Sequence, residues 1–145
     1  MTPTEAIRDA LAAFDRAFAA GDADGLADLF AEDGLLLLLY REPLEGRAAI
    51  RDNWARFFAD WDPGAWRAEH RVVEADGDRG HALSVYSETL RHRAGIEPSR
   101  VVRGRVAYFL RRDPDGAWLI TLAMNSHSKP IETIESGTGS AAAAT

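Results

Sequence analysis

Apolar positions recur three and four residues apart at the start of the chain, at Ile7, Leu11, Phe14 and Phe18. That spacing buries one helix face and predicts a helix over residues 5–20, with Arg8, Asp15 and Arg16 turned to the surface. Gly21 ends it, and Asp22 is placed to cap a second, short helix through residue 30, buried along Leu26, Leu29 and Phe30. Residues 35–40, bounded by Asp33 and Gly34, read as a strand that is apolar on both faces. After a loop over 41–46, helical spacing returns over 47–59 with Ile50, Trp54, Phe57 and Phe58, and stops at Asp62-Pro63-Gly64. The period then falls to two. Strands are predicted over 66–74, 81–90, 101–110 and 117–124, the first pair joined by Ala75-Asp76-Gly77-Asp78 and the last by Asp113-Pro114-Asp115-Gly116.

Turn geometry decides which side chains of these strands face inward. Pairing Arg112 with Ala117 puts Tyr108 opposite Thr121, Val106 opposite Ala123, Gly104 opposite Asn125 and Val102 opposite His127. Asn125 and His127 then face a glycine, which leaves room for something else. The reverse face carries Phe109 with Trp118, Ile120, Leu122 and Met124. With Asp76-Gly77 as the central pair of the earlier hairpin, His70 pairs with Leu83 and Trp66 with Ser87. Tyr86 and Glu88 then form an outer polar ladder with Arg103 and Arg105. A one-residue slip in either hairpin reverses such an assignment.

The expected architecture is α+β, a cone of three N-terminal helices packed on a curved, mainly antiparallel β-sheet. The helices cover only the inner face, so the apolar set at Phe109, Trp118, Ile120, Leu122 and Met124 predicts a homodimer packed sheet to sheet. Residues 1–130 form a single domain. Residues 131–145 are low in complexity and predict a disordered tail.

Composition narrows the partners. A net charge of −6 with arginines scattered among acids argues against nucleic acid. The chain has no cysteine, which excludes thiolate chemistry and disulfides. No apolar run is long enough for a membrane span and no leader pattern stands at the N-terminus, so the expected location is cytoplasmic. His70, His81, His92 and His127 lack the spacing of a ligand set. Neither a metal nor a cofactor is expected.

Three stretches resemble the NTF2-like superfamily, in its SnoaL-like or DUF4440 branch of small bacterial proteins: FDRAFAAGDADGLADLFAEDG at 14–34, LEGRAAIRDNW at 44–54 and GAWLITLAMNSHS at 116–128. The resemblance covers roughly residues 5–130 and implies the ketosteroid-isomerase-like cone. It does not fix an activity, because that superfamily holds isomerases, cyclases, dehydratases and non-catalytic members. The leucines at 35–39 stand where a ketosteroid isomerase carries its catalytic Asp, which argues against that mechanism here. The resemblance also implies a pocket histidine paired with an aspartate, for which His70 and Asp22 are the matching positions; the alternative for Asp22 is helix capping alone.

His127 is the first candidate acid or base from the predicted strands, because imidazole moves protons near neutral pH. The alternative is a strand-end histidine in solvent. Asn125, Tyr108 and Tyr40 are candidate hydrogen-bond donors to a substrate carbonyl, and Trp54, Phe58 and Trp66 candidate apolar walls. Two functions fit: a cofactor-free isomerase, cyclase or dehydratase acting by proton transfer on an apolar carbonyl compound, or a dimeric module that binds a hydrophobic metabolite or peptide. A buried acid or histidine with a shifted pKa discriminates between them.

Overall fold

The computed structural model describes residues 1–134. Three helices, α1 (Pro3–Ala19), α2 (Ala23–Asp28) and α3 (Arg47–Asp60), pack on one sheet of seven strands. The strands are β1 (Phe30–Leu37), β2 (Leu44–Glu45), β3 (Trp61–Asp76), β4 (Arg79–His92), β5 (Ser99–Arg112), β6 (Trp118–His127) and β7 (Glu132–Ile134). The path across the sheet is β2-β1-β6-β5-β4-β3, antiparallel except for β1 beside β6, and β7 pairs with the start of β5. This is α+β, with a mainly antiparallel curved sheet. The helices are not one N-terminal block, since β1 and β2 intervene before α3.

Helix ends follow local chemistry. Thr2 caps α1, accepting from the Glu5 amide at 3.2 Å while Glu5 accepts the Thr2 amide at 2.8 Å. This reciprocal box sets the start two residues before the predicted one. Ile7, Leu11, Phe14 and Phe18 are the buried stripe of α1. Asp22 caps α2 by accepting from the Gly25 amide at 2.9 Å. Phe30 belongs to β1 rather than to α2, and Trp61, Asp62 and Pro63 open β3 rather than a loop.

Both hairpins differ from the predicted registers. Gly77 has φ +61 and is the first central residue of the β3–β4 turn, so Asp76 pairs with Arg79. A glycine-first two-residue turn is another favoured hairpin geometry, and it wins over Asp76-Gly77 as the central pair. An irregularity between His70 and Val72 then shifts the remaining ladder to His70–Ser84 and Trp66–Glu88. Relative to the prediction β4 is turned over: Ala82, Ser84, Tyr86, Glu88 and Leu90 are its buried residues. The Tyr86–Glu88 outer ladder is therefore corrected; Arg103 pairs instead with Glu132 at 3.2 Å.

In β5–β6 the predicted inner face holds, but the partners move by two: Tyr108 faces Ala123, Val106 faces Asn125 and Gly104 faces His127. Between Phe109 and Leu110 the register shifts. Past that point Trp118 (7% exposed) and Ile120 (0%) enter the core beside Leu110 instead of joining the outer apolar set. Within the stretch predicted as a tail, Glu132–Ile134 instead adds a strand to β5. The rest of that stretch, 135–145, lies outside the described residues.

Candidate functional site

Between α1, α3 and the inner sheet face lies a cavity of about 420 Å³, within the usual range for small-molecule sites. Its apolar wall is aromatic: Phe14 and Phe18 from α1, Trp54 and Phe57 from α3, and Trp66 from β3. Polar groups enter from two strands and α3, namely Glu88, Tyr86, Asn125, His127 and Asn53. Arg41, Arg56 and Asp60 line it from exposed positions and so form its solvent side.

Glu88 is the unusual member. It is 8% exposed, and its Oε2 is buried with no hydrogen-bond partner. Burial alone pushes its carboxyl up to about 8 from an ordinary 4.5, because the apolar surroundings penalise the charged form. Tyr86, next inward on β4, donates to Asn125 Oδ1 at 2.7 Å, and burial pushes its phenol up to about 12. The Tyr86 ring stacks on Trp66 at 4.7 Å between centroids. The hydroxyl takes the space left by Gly104, where a Cβ would stand 2.5 Å from it. Asn125 is thereby held with its oxygen occupied and its NH₂ available to donate. The Trp54 indole N–H, also on the cavity wall, is buried without an acceptor.

A second polar cluster lies under α1. His70 donates through Nε2 to Asp15 Oδ2 at 2.8 Å, its Nδ1 meets Ser84 Oγ at 2.6 Å, and Asp15 Oδ1 accepts the Trp66 indole N–H at 2.9 Å. Ser84 is 1% exposed. None of Asp15, His70 and Ser84 lines the cavity, so the cluster bears on it through Trp66.

The predicted site residues divide accordingly. His127, Asn125, Trp54 and Trp66 are brought together around the cavity. His70 faces inward, but its carboxylate partner is Asp15, while Asp22 caps α2. Tyr108 is 1% exposed in the core, edge-on to Phe14 at 5.6 Å, and burial raises its phenol well above 10. Phe58 stacks on Trp54 at 5.9 Å in the core, and its neighbour Phe57 reaches the cavity instead. Tyr40 is fully exposed, at the turn after β1 with φ 58. Glu88, Tyr86, Asn53, Arg41 and Arg56 were not anticipated. For the first two, the change of turn moves partners by two and keeps parity. What turns β4 over is the irregularity between His70 and Val72, which no turn residue in the sequence marks.

Among the described residues no group of three or more His, Asp or Glu is placed to hold a metal ion. Nor, among those residues, is any helix long and apolar enough to cross a membrane.

Helices closing a curved sheet around a side-chain-lined cavity are the NTF2-like architecture. Within it, the chain belongs to the SnoaL-like domain family, whose profile matches residues 1–123. No curated protein matches it in sequence. Among solved structures, it is similar to a ketosteroid isomerase-like protein from Erwinia carotovora atroseptica, with TM-score 0.80 and 19% identity over 87% of this chain and 96% of that one. A cystatin-like domain of unknown function from Nostoc punctiforme superposes with TM-score 0.72 and 18% identity, over 90% and 81% of the two chains. A scytalone dehydratase candidate from Novosphingobium aromaticivorans gives 0.73 and 14% identity, over 97% and 99%. Identities this low establish the shared fold.

Proposed function

We propose that the chain binds an apolar carbonyl compound in this cavity and moves a proton on it, as an isomerase, cyclase, dehydratase or related lyase does. Glu88 carries the reading: a buried carboxyl in an aromatic cavity, its Oε2 without a partner among the described residues and its pKa pushed up to about 8. Its neutral form donates a hydrogen bond to a ligand oxygen. Its ionised form, about a tenth of the population at pH 7 given that value, takes a proton from the carbon beside the carbonyl and returns it elsewhere. A carboxyl titrating near the working pH serves both directions. The NH₂ of Asn125 and the indole N–H of Trp54 are the donors for the enolate oxygen that forms. His127, on the same wall, is a second proton carrier.

The test uses 2-tetralone, a two-ring ketone with exchangeable protons, followed by NMR in deuterium oxide. Wild-type protein is expected to accelerate exchange over Glu88→Gln by about 10²-fold or more. Equal rates for the two proteins would remove Glu88 from the chemistry. The cavity would then be that of a non-catalytic module for a hydrophobic metabolite.

A further inference from the structure

We infer that the molecule this cavity takes is an anion: an aromatic or fused-ring body whose carboxylate is held at the solvent side by Arg41 and Arg56. The inference rests on the cavity being the ligand site, and it adds the substrate class. Arg41 leaves the β1–β2 connection and reaches back to α3, where its Nη1 donates to Asn53 Oδ1 at 2.6 Å. Asn53 is 5% exposed, so this contact ties the guanidinium to a buried side chain at the cavity wall. It uses one of the five N–H donors that a guanidinium carries. Arg56 stands three residues beyond Asn53 on α3, so the two share a helix face.

Neither arginine has a carboxylate within salt-bridge distance among the described residues. In the same acidic chain, Arg91, Arg103 and Arg112 each have one. Arg100 also lines the cavity, but Glu97 holds it at 2.7 Å and it lies over the Trp61 ring. Asp60 is the one acid beside Glu88 in the lining, and no salt bridge joins it to Arg56. The cavity therefore runs from an aromatic interior to a solvent side with two guanidiniums whose donors are largely unused. A neutral ligand would cover those donors without pairing them, which is costly, whereas a carboxylate meets guanidinium geometry with two parallel bonds. Anchoring the acid at the solvent side also orients the ligand. Its rings fill the aromatic wall, and an inner oxygen comes to the Trp54 indole N–H, which has no other acceptor.

Calorimetric titration with 2-naphthoate and methyl 2-naphthoate tests this, since the two share a ring body and differ in charge. Wild-type protein is expected to bind the acid about tenfold or more tighter than the ester, the worth of one or two charge-assisted hydrogen bonds. In the double variant R41Q/R56Q that preference should fall below about threefold while the ester binds as before. Equal binding of acid and ester by wild type, or equal weakening of both in the double variant, would overturn the inference. Glu88 does not hold the carboxylate, so a failed exchange test with 2-tetralone leaves the acid-over-ester preference standing. Binding of neither probe by wild type would overturn the anionic class and the cavity reading together.

Discussion

Glu88 shows what one side chain does when strand parity turns it inward. The unfolded chain ionises this carboxyl near 4.5 and the folded chain near 8. Between those values the native state holds a proton that the unfolded state has released. Stability is therefore full below pH 4.5, falls as pH rises, and levels off above about 8, at up to about 1.4 kcal/mol per pH unit. Glu88→Gln removes the ionisation, so its stability measured against wild type should rise steadily between pH 5 and pH 8. Urea unfolding of both proteins at the two pH values checks this. Parallel curves would mean that the carboxyl is ionised inside the fold. The role was not legible in the sequence for a physical reason. A regular hairpin pairs Leu83 with His70 and turns it inward, an assignment that the apolar character of Leu83 and Val85 does nothing to contradict. The irregularity between His70 and Val72 reverses it. The molecule instead buries Ser84, Tyr86 and Glu88 and gives Leu83, at 39% exposure, to the open face. Polar residues needed in a cavity invert the pattern by which strands are read.

At the scale of elements, the helices were legible from their apolar stripes and, for α1 and α2, from their caps. The α1 stripe and the Asp22 cap of α2 are local features, settled within a few residues. Strand partners depend on turns and on irregularities, which slip by one residue at little local cost. The β5–β6 prediction kept Asn125 and His127 on the inner face because a shift of two preserves parity. The register break after Phe109 then carried Trp118 and Ile120 into the core. Gly104 was read as making room on that face, and the occupant is the Tyr86 hydroxyl from the neighbouring strand. A methyl group there would stand 2.5 Å from that oxygen and 2.6 Å from the Ser126 carbonyl oxygen. Backbone on one side and a hydrogen-bonded phenol on the other leave little room to relax. Gly104→Ala is expected to cost about 1–3 kcal/mol in chemical denaturation. It should also free Tyr86 from Asn125, seen as a lowered phenol pKa in ultraviolet titration as the ring gains water. An unchanged unfolding midpoint would show that β4 and β5 separate easily at this crossing.

For the whole molecule, the helices cover one face of the sheet, and among the described residues no element covers the other. Across that outer face the registers align one apolar row. Leu35 of β1 and Phe109 of β5 flank Leu122 of β6, while Leu37 and Ala107 flank Met124. Leu83 of β4 pairs with Ala107, and Val72 of β3 pairs with Leu83. Phe109 is 49% exposed, Met124 46%, Leu83 39% and Val72 36%. Trp118 and Ile120 are absent from the row, so it is narrower toward the β5–β6 turn than the sequence suggested but extends onto β3 and β4. A continuous apolar strip across five strands is more than scattered surface hydrophobics and marks a contact surface. The sheet is the same on a second copy, and a two-fold axis through the middle of the row lets Phe109 and Met124 cover their counterparts. We propose a homodimer on this face. Sedimentation equilibrium near 10 µM (roughly the range in which such apolar contacts hold) should give twice the chain mass for wild type. Phe109→Glu should give a single chain mass with unchanged helix and strand content, because the substituted side chain faces outward and a charge there meets its own copy across the axis. A wild-type protein of single chain mass would remove the dimer. It would leave the cavity untouched, since the described residues that line the cavity lie on the inner side of the sheet, on the helices or in connections.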